Sequence, residues 1–217
     1  MKITIELNGV KLSRNMPTSW HEVTFGQFLK LQSIEKDTAK IFALFLDIEE
    51  SIVVKAKIHD LDGILLKLRF LNDQVPLSVP LEIMGYPIPK DLGLDCLGPF
   101  LDMQRDVKDG AGRTDLEKLE RYTTYVAMYA CRPYDWQKAE EMAPMFLNAP
   151  APEVLAIGHF TLLRLIGSAS STKAGSQSLT TRLRRFKQAL KIWARNMGTM
   201  VRYYIWRLRP AKVGKQS

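Results

Sequence analysis

Eight apolar residues, Leu179, Leu183, Phe186, Leu190, Trp193, Met197, Met200 and Tyr204, follow one another at intervals of 4, 3, 4, 3, 4, 3 and 4. Steps that alternate between three and four keep a narrow apolar seam on one side of a helix. Arg182, Arg184, Arg185, Lys187, Lys191, Arg195, Arg202, Arg207 and Arg209 occupy much of the remainder, and Pro210 closes the pattern. The spacing predicts a long basic amphipathic helix over 179–209, about 45 Å in length at about 1.5 Å per residue.

The charge of this segment is unmixed. Residues 1–153 hold 18 Lys and Arg against 23 Asp and Glu, whereas residues 154–217 hold 13 Lys and Arg and no acid. The net charge of +8 therefore conceals an acidic body joined to a strongly basic end. Asymmetry of this kind points to a nucleic acid, a membrane surface or an acidic protein as the partner of that end. A simple solvated face would mix both signs, because like charges on neighbouring helical positions repel.

Three readings of the helix follow from its chemistry. Against nucleic acid, its cations would neutralise phosphates and release counterions, with largely sequence-independent and salt-dependent binding. Trp193, Tyr203, Tyr204 and Trp206 could add base stacking, although packing is the commoner use of seam residues. Against lipid, a basic helix carrying Trp and Tyr could lie in the headgroup plane. Against protein, the seam could dock on an acidic helical partner or fold back on the acidic body. A homomeric coiled coil of the segment is disfavoured, since its flanks carry no Glu to pair with.

Upstream, Ile3, Ile5 and Leu7 alternate with polar residues, Asn8-Gly9 follows, and Val10 and Leu12 alternate again. Asn-Gly tolerates the positive φ of a tight turn, so a β-hairpin is expected. Two overlapping helix starts come next, Ser19 with Glu22 and Thr24 with Gln27, both matching the capping box. Further helices are expected over 38–46, 58–70, 115–131, 136–146 and 153–166, with Thr114 and Glu117 forming another capping box. Residues 75–100 carry Pro76, Pro80, Pro87, Pro89 and Pro99 among Gly85, Gly93 and Gly98. Long helices are not expected there, and a short strand over 77–83 could pair with the N-terminal hairpin. Residues 167–178, GSASSTKAGSQS, are small and polar and read as a flexible linker. The expected organisation is thus a helical body with its hairpin over 1–166, the linker over 167–178, the basic helix over 179–209, and a tail over 210–217.

Catalytic signatures are missing from the sequence. His21, His59 and His159 stand apart, in neither an HExxH nor an HxH arrangement, and read as surface or packing residues. Cys96 and Cys131 have no CxxC neighbour and read as small buried apolar groups. Neither a GxxxxGK[ST] loop nor a strand–GxGxxG–helix unit is present. Asp102, Asp106 and Asp109 do not match a calcium loop, and Arg105 and Lys108 interrupt them, so a solvated acidic helix end is expected. The chain is therefore read as non-enzymatic, with no catalytic residue, no metal site and no cofactor. No run of about 18 apolar residues suggests a membrane span, and MKITIEL lacks a secretory apolar region, so an intracellular protein is expected.

The stretch Met16-Pro-Thr-Ser-Trp-His-Glu-Val-Thr-Phe-Gly-Gln-Phe28 resembles a pattern of tailed-bacteriophage proteins, in which a β-hairpin precedes it and a helical body follows. Residues 146–160, Phe-Leu-Asn-Ala-Pro-Ala-Pro-Glu-Val-Leu-Ala-Ile-Gly-His-Phe, look like the closing helix of the same group. The resemblance covers the N-terminal two thirds of the chain and leaves the basic helix outside it. It implies a virion or tail-assembly component of the kind found in phages of gut bacteria, with other assembly proteins as partners in an oligomeric assembly. Virion, or host cytoplasm during assembly, is then the expected location, and DNA is a candidate partner of the basic helix. A nucleic-acid-binding accessory protein outside the virion and a membrane-surface protein are the alternatives.

Overall fold

The computed structural model describes residues 2–171 except 8–9, 35–36, 57, 90–91 and 93–96. It is mainly helical, with a small β-hairpin at the start, as the sequence predicts. The basic helix over 179–209 and the tail over 210–217 lie outside the described residues.

Strands β1 (Lys2–Leu7) and β2 (Val10–Asn15) pair antiparallel from Lys2 opposite Asn15 to Leu7 opposite Val10. That register leaves the Asn-Gly pair as the connection, as its turn chemistry requires. Of the two overlapping helix starts, only the second begins a helix. In α1 (Phe25–Ser33) the Thr24 hydroxyl accepts from the Gln27 N–H at 3.2 Å, and the Thr24 N–H donates to Gln27 Oε1 at 3.1 Å. Ser19 makes no side-chain cap. Glu22 instead turns back to Thr18, whose N–H and hydroxyl donate to Oε2 at 2.7 and 3.1 Å, closing a short 3-10 turn over Trp20–Glu22. These hydrogen bonds hold the Glu22 carboxyl below its usual range, the Thr18 backbone bond being the largest cause.

Helix α2 (Thr38–Leu46) has the predicted bounds, with Asp37 capping the N–H groups of Ala39 and Lys40. The short α3 (Glu50–Val54) was not expected from the sequence. Helix α4 (Ile58–Lys67) tightens into a 3-10 turn over Leu68–Asn72, and β1 lies against α4. The strand expected over 77–83 does not form against the hairpin; residues 74–80 belong to no helix or strand. Pro76 and Pro80 have no N–H to give a ladder. Among the described residues of this stretch only β3 (Glu82–Ile83) and β4 (Tyr86–Pro87) pair, across a turn in which Met84 and Gly85 both take positive φ, 50° and 85°.

Helix α5 (Leu97–Asp109) begins inside the proline-rich stretch, where no long helix was expected. Pro99 falls in its first turn, where the absent N–H leaves no bond unmade. The helix expected over 115–131 is divided at Arg121 into α6 (Asp115–Glu120) and α7 (Tyr122–Ala130). Helix α8 (Trp136–Met142) passes into a 3-10 turn over Ala143–Asn148, because Pro144 lacks the donor that would continue it. Helix α9 (Ala151–Ser171) runs five residues into the segment expected as linker. Ala and Ser extend a formed helix at little cost, and Gly167 alone does not stop it. Residues 172–178 of the expected linker lie outside the described residues.

At the centre stands α7, with Thr123 through Tyr129 all buried. It packs against α9, α8 and the Ala143–Asn148 turn. Gly158 permits the closest approach: a Cβ there would overlap ring and Cβ carbons of Tyr122. Residues 16–28 and 146–160 are packed on each other. The Phe25 N–H donates to the Ala149 carbonyl and the Ala151 N–H to the Val23 carbonyl, each at 2.8 Å, around an antiparallel bridge between Thr24 and Pro150. Phe25, Phe28, Phe146, Leu155 and Ile157 are fully buried. Each such side chain contributes about 1.5–3 kcal/mol of hydrophobic stabilisation. Trp20 completes this junction, packing edge-on against Phe28 and Phe70 while its Nε1 donates to the Asp73 carbonyl at 3.1 Å.

Candidate functional site

The binding residues read from the sequence, Arg182, Arg184, Arg185, Lys187, Lys191, Arg195, Arg202, Arg207 and Arg209, lie outside the described residues. So does the whole seam of Leu179, Leu183, Phe186, Leu190, Trp193, Met197, Met200 and Tyr204. Among the described residues, the densest polar cluster surrounds Asp106.

Asp106 is buried, at 8% exposure, and the solvated acidic helix end expected from the sequence is corrected at this position. A spacing of four places Asp102 and Asp106 on one face of α5, turned inward. Asp102 accepts from the Tyr134 hydroxyl at 2.9 Å. Asp106 Oδ1 lies 3.0 Å from both the Arg113 Nη1 and the Arg121 Nη2. Its Oδ2 accepts from the Tyr125 hydroxyl at 2.9 Å and from Arg121 Nε at 3.3 Å. Arg121 also donates to Glu140 Oε1 at 2.8 Å and lies over the Trp136 ring, 5.7 Å from its centroid. Asp109, in contrast, is exposed.

This is a brace made of charge. One carboxylate joins α5, the Arg113 loop and α7, and Arg121 carries the connection to α8. A buried carboxylate is tolerable only when its lone pairs are filled, as they are here by two guanidinium groups and a phenol. Burial is the largest influence on Arg121 and favours losing its proton, yet hydrogen bonds and charge from Glu140 and Asp106 outweigh it and raise its pKa. Burial, then the Asp106 charge, also pushes the Tyr125 phenol upward, and burial pushes Tyr122 to about 12. The Tyr125 phenol thus stays a protonated donor to Asp106 at neutral pH. Separation of Asp106, Arg113, Arg121 and Tyr125 along the chain hid the cluster from sequence reading.

In front of the brace lies an open groove of about 610 Å³. Its floor is apolar, with Leu29 of α1 and with Ala143, Pro144 and Leu147 after α8. Glu117 and Glu120 of α6 and Glu140 of α8 stand on its walls, as do Arg113 and Arg121. Glu117 closes the predicted capping box: the Thr114 N–H and hydroxyl donate to Oε2 at 2.6 and 2.8 Å. Those bonds, the hydroxyl's first, hold its carboxyl below the usual range.

Elsewhere the expected bland roles hold where the structure describes them. His21 is exposed, and His159 is half-buried on α9, its ring 5.8 Å from that of Phe160. Burial lowers the His159 pKa and raises that of Glu153. Cys131 is buried, its thiol 3.5 Å from the Pro133 carbonyl. Among the described residues no three His, Cys, Asp or Glu side chains are grouped to hold a metal ion. None of the described helices is long and apolar enough to cross a membrane. Comparison of the chain with protein-family models, with curated proteins and with solved structures finds no match.

Proposed function

We propose that the chain is a non-enzymatic structural or assembly protein of the tailed-phage kind, a compact acidic body carrying a basic arm for a polyanionic partner. That partner is packaged DNA or an acidic face of a neighbouring subunit. One observation carries the reading: after Glu153 the chain has 13 Lys and Arg and no acidic residue. The body uses charge differently. Its inward-facing cations, Arg113 and Arg121, are neutralised by its own Asp106 and Glu140. The arm has no acid of its own, so its counter-charge must come from the body or from outside.

The assembly side of the reading is supported by the likeness of residues 16–28 and 146–160 to tailed-phage proteins. Those stretches meet in one hydrogen-bonded, apolar junction, so the resemblance falls on a single structural unit. The test is mass spectrometry of purified particles and of assembly intermediates from a phage that encodes the chain. A fixed copy number per particle, or per intermediate, is the expected result. Recovery of the chain only on free DNA, never with particles or intermediates, would replace this reading with that of an accessory DNA-binding factor.

A further inference from the structure

We propose that the edge of β1 facing away from β2 pairs with the same edge of a second copy of this chain, the two strands running antiparallel about Thr4. Among the described residues no third strand joins either strand of the hairpin. Two strands alone are marginal in water, and an unpaired edge is a template for another strand. The sequence of β1, KITIEL, is complementary to itself in one register.

The hairpin fixes what that edge offers. Leu7 and Val10 flank a two-residue connection, so they form a hydrogen-bonded pair. Alternation along an antiparallel ladder makes Ile5 with Leu12 and Ile3 with Arg14 pairs of the same kind. The main-chain N–H and C=O groups of Lys2, Thr4 and Glu6 are then directed to the open side. Thr4, Lys11, Ser13 and Asn15 are exposed, and the register puts all four on one face of the hairpin. The opposite face is left for α4, which lies against β1.

A two-fold axis at Thr4 sets Lys2 against Glu6 of the second copy, and Glu6 against its Lys2, with Ile3 and Ile5 matched between them. Both opposite-charge pairs form, and the outward-directed residues exchange about six main-chain bonds. Any other position of the axis along β1 loses both charge pairs. Strand β2 offers no such match, since it carries Lys11 and Arg14 with no acid, and cations on an edge deter pairing. The result is a closed dimer with one four-stranded sheet, β2 at each end, rather than a filament. It is argued from the hairpin alone and does not rest on the proposed function.

Disulfide trapping in the full chain tests the pairing. Hydrogen-bonded partners lie about 5.5 Å apart at Cα, inside the range of about 4.4–6.8 Å that a disulfide spans. Mild oxidation of Thr4→Cys should join two chains through position 4, read by peptide mapping. Ser13→Cys, exposed on the same face, should stay unlinked at that position. Charge exchange gives a readout that misfolding does not imitate. Lys2→Glu and Glu6→Lys each set like charges opposite one another, and each should weaken self-association severalfold in sedimentation equilibrium. An equal mixture of the two variants restores both opposite-charge pairs and should recover the dimer. Glu6→Lys also meets Lys11 within its own hairpin, so Thr4→Pro serves as a further variant. It withdraws an N–H only from the open side, and should abolish the dimer while the thermal unfolding of the body persists. A monomeric wild type, a position-4 link no faster than that of Ser13→Cys, or a mixture that fails to recover the dimer overturns the proposal. So does a bond between positions 4 and 13 in a mixture of the cysteine variants, which would mean open-ended pairing of β1 with β2.

Discussion

The body is held together at two places by different physics. At the junction of residues 20–28 with 146–157, aromatic and aliphatic side chains are removed from water and the backbones exchange two bonds of 2.8 Å. At the Asp106 brace, α5, α7 and α8 are joined by charged hydrogen bonds, with Arg113 31% and Arg121 24% exposed. The junction depends on shape and buried area. The brace depends on charge pairing and desolvation, and its guanidinium groups keep partial access to water. The basic segment differs from both, since its cations have no acid in their own sequence neighbourhood. Charge is thus paired inside the body and unmatched in the sequence of the basic segment.

The largest effect is expected at the junction. Phe146→Ala empties a fully buried site and should cost about 3–5 kcal/mol, enough to unfold a marginal domain. Urea denaturation measures it, and a loss below about 1 kcal/mol would show that the junction is not the principal core. Asp106→Asn should cost somewhat less, about 2–3 kcal/mol. It leaves two guanidinium groups without their shared anion, but their partial exposure lets water take over some of that role. Adding Arg121→Gln to Asp106→Asn should cost less than the separate losses combined, since the two side chains share one network. Strict additivity would mean that the brace is a set of independent bonds.

Two smaller effects sharpen the contrast. Thr24→Ala removes half of the α1 capping box and should cost about 1 kcal/mol in the same denaturation assay. The pH dependence comes from a different group, His159, whose pKa is lowered by burial in the folded state. Its contribution is fully present above the unfolded value near 6.5 and is lost as pH falls through 6.5 toward the folded value. Glu153, raised by burial, works in the opposite sense: its contribution is lost as pH rises from 4.5 through its raised value. Comparing wild type with His159→Gln isolates the histidine. The melting temperature of the variant should fall less between about pH 7.5 and pH 5.5.

Local chemistry made much of the body legible in the sequence. Alternation with Asn-Gly marks the hairpin, and hydroxyl-to-carboxyl or hydroxyl-to-amide spacings mark the starts of α1 and α6. Ser19 and Glu22 had the same spacing, yet Glu22 bonded to Thr18 instead, because two nearby donors outcompete one cap. The Asp106 brace was not legible, since its four members come from three segments and meet only by tertiary folding. Asp102, Asp106 and Asp109 are equivalent as letters; helical direction alone turns two inward and one out. The groove was hidden for the same reason, as α1, α6 and the turn after α8 come together only in the folded chain.

The most direct measurement is the affinity of the full chain for duplex DNA as a function of salt, beside a variant with Arg182, Arg184, Arg185 and Lys187 all changed to Gln. Electrostatic attachment by the basic arm requires a steep log–log slope for the wild type. The four substitutions should flatten that slope by up to about 3.6 units, at about 0.9 for each phosphate that is no longer neutralised. Binding that is indifferent to salt, or a slope that the four substitutions leave unchanged, would contradict a phosphate-binding arm.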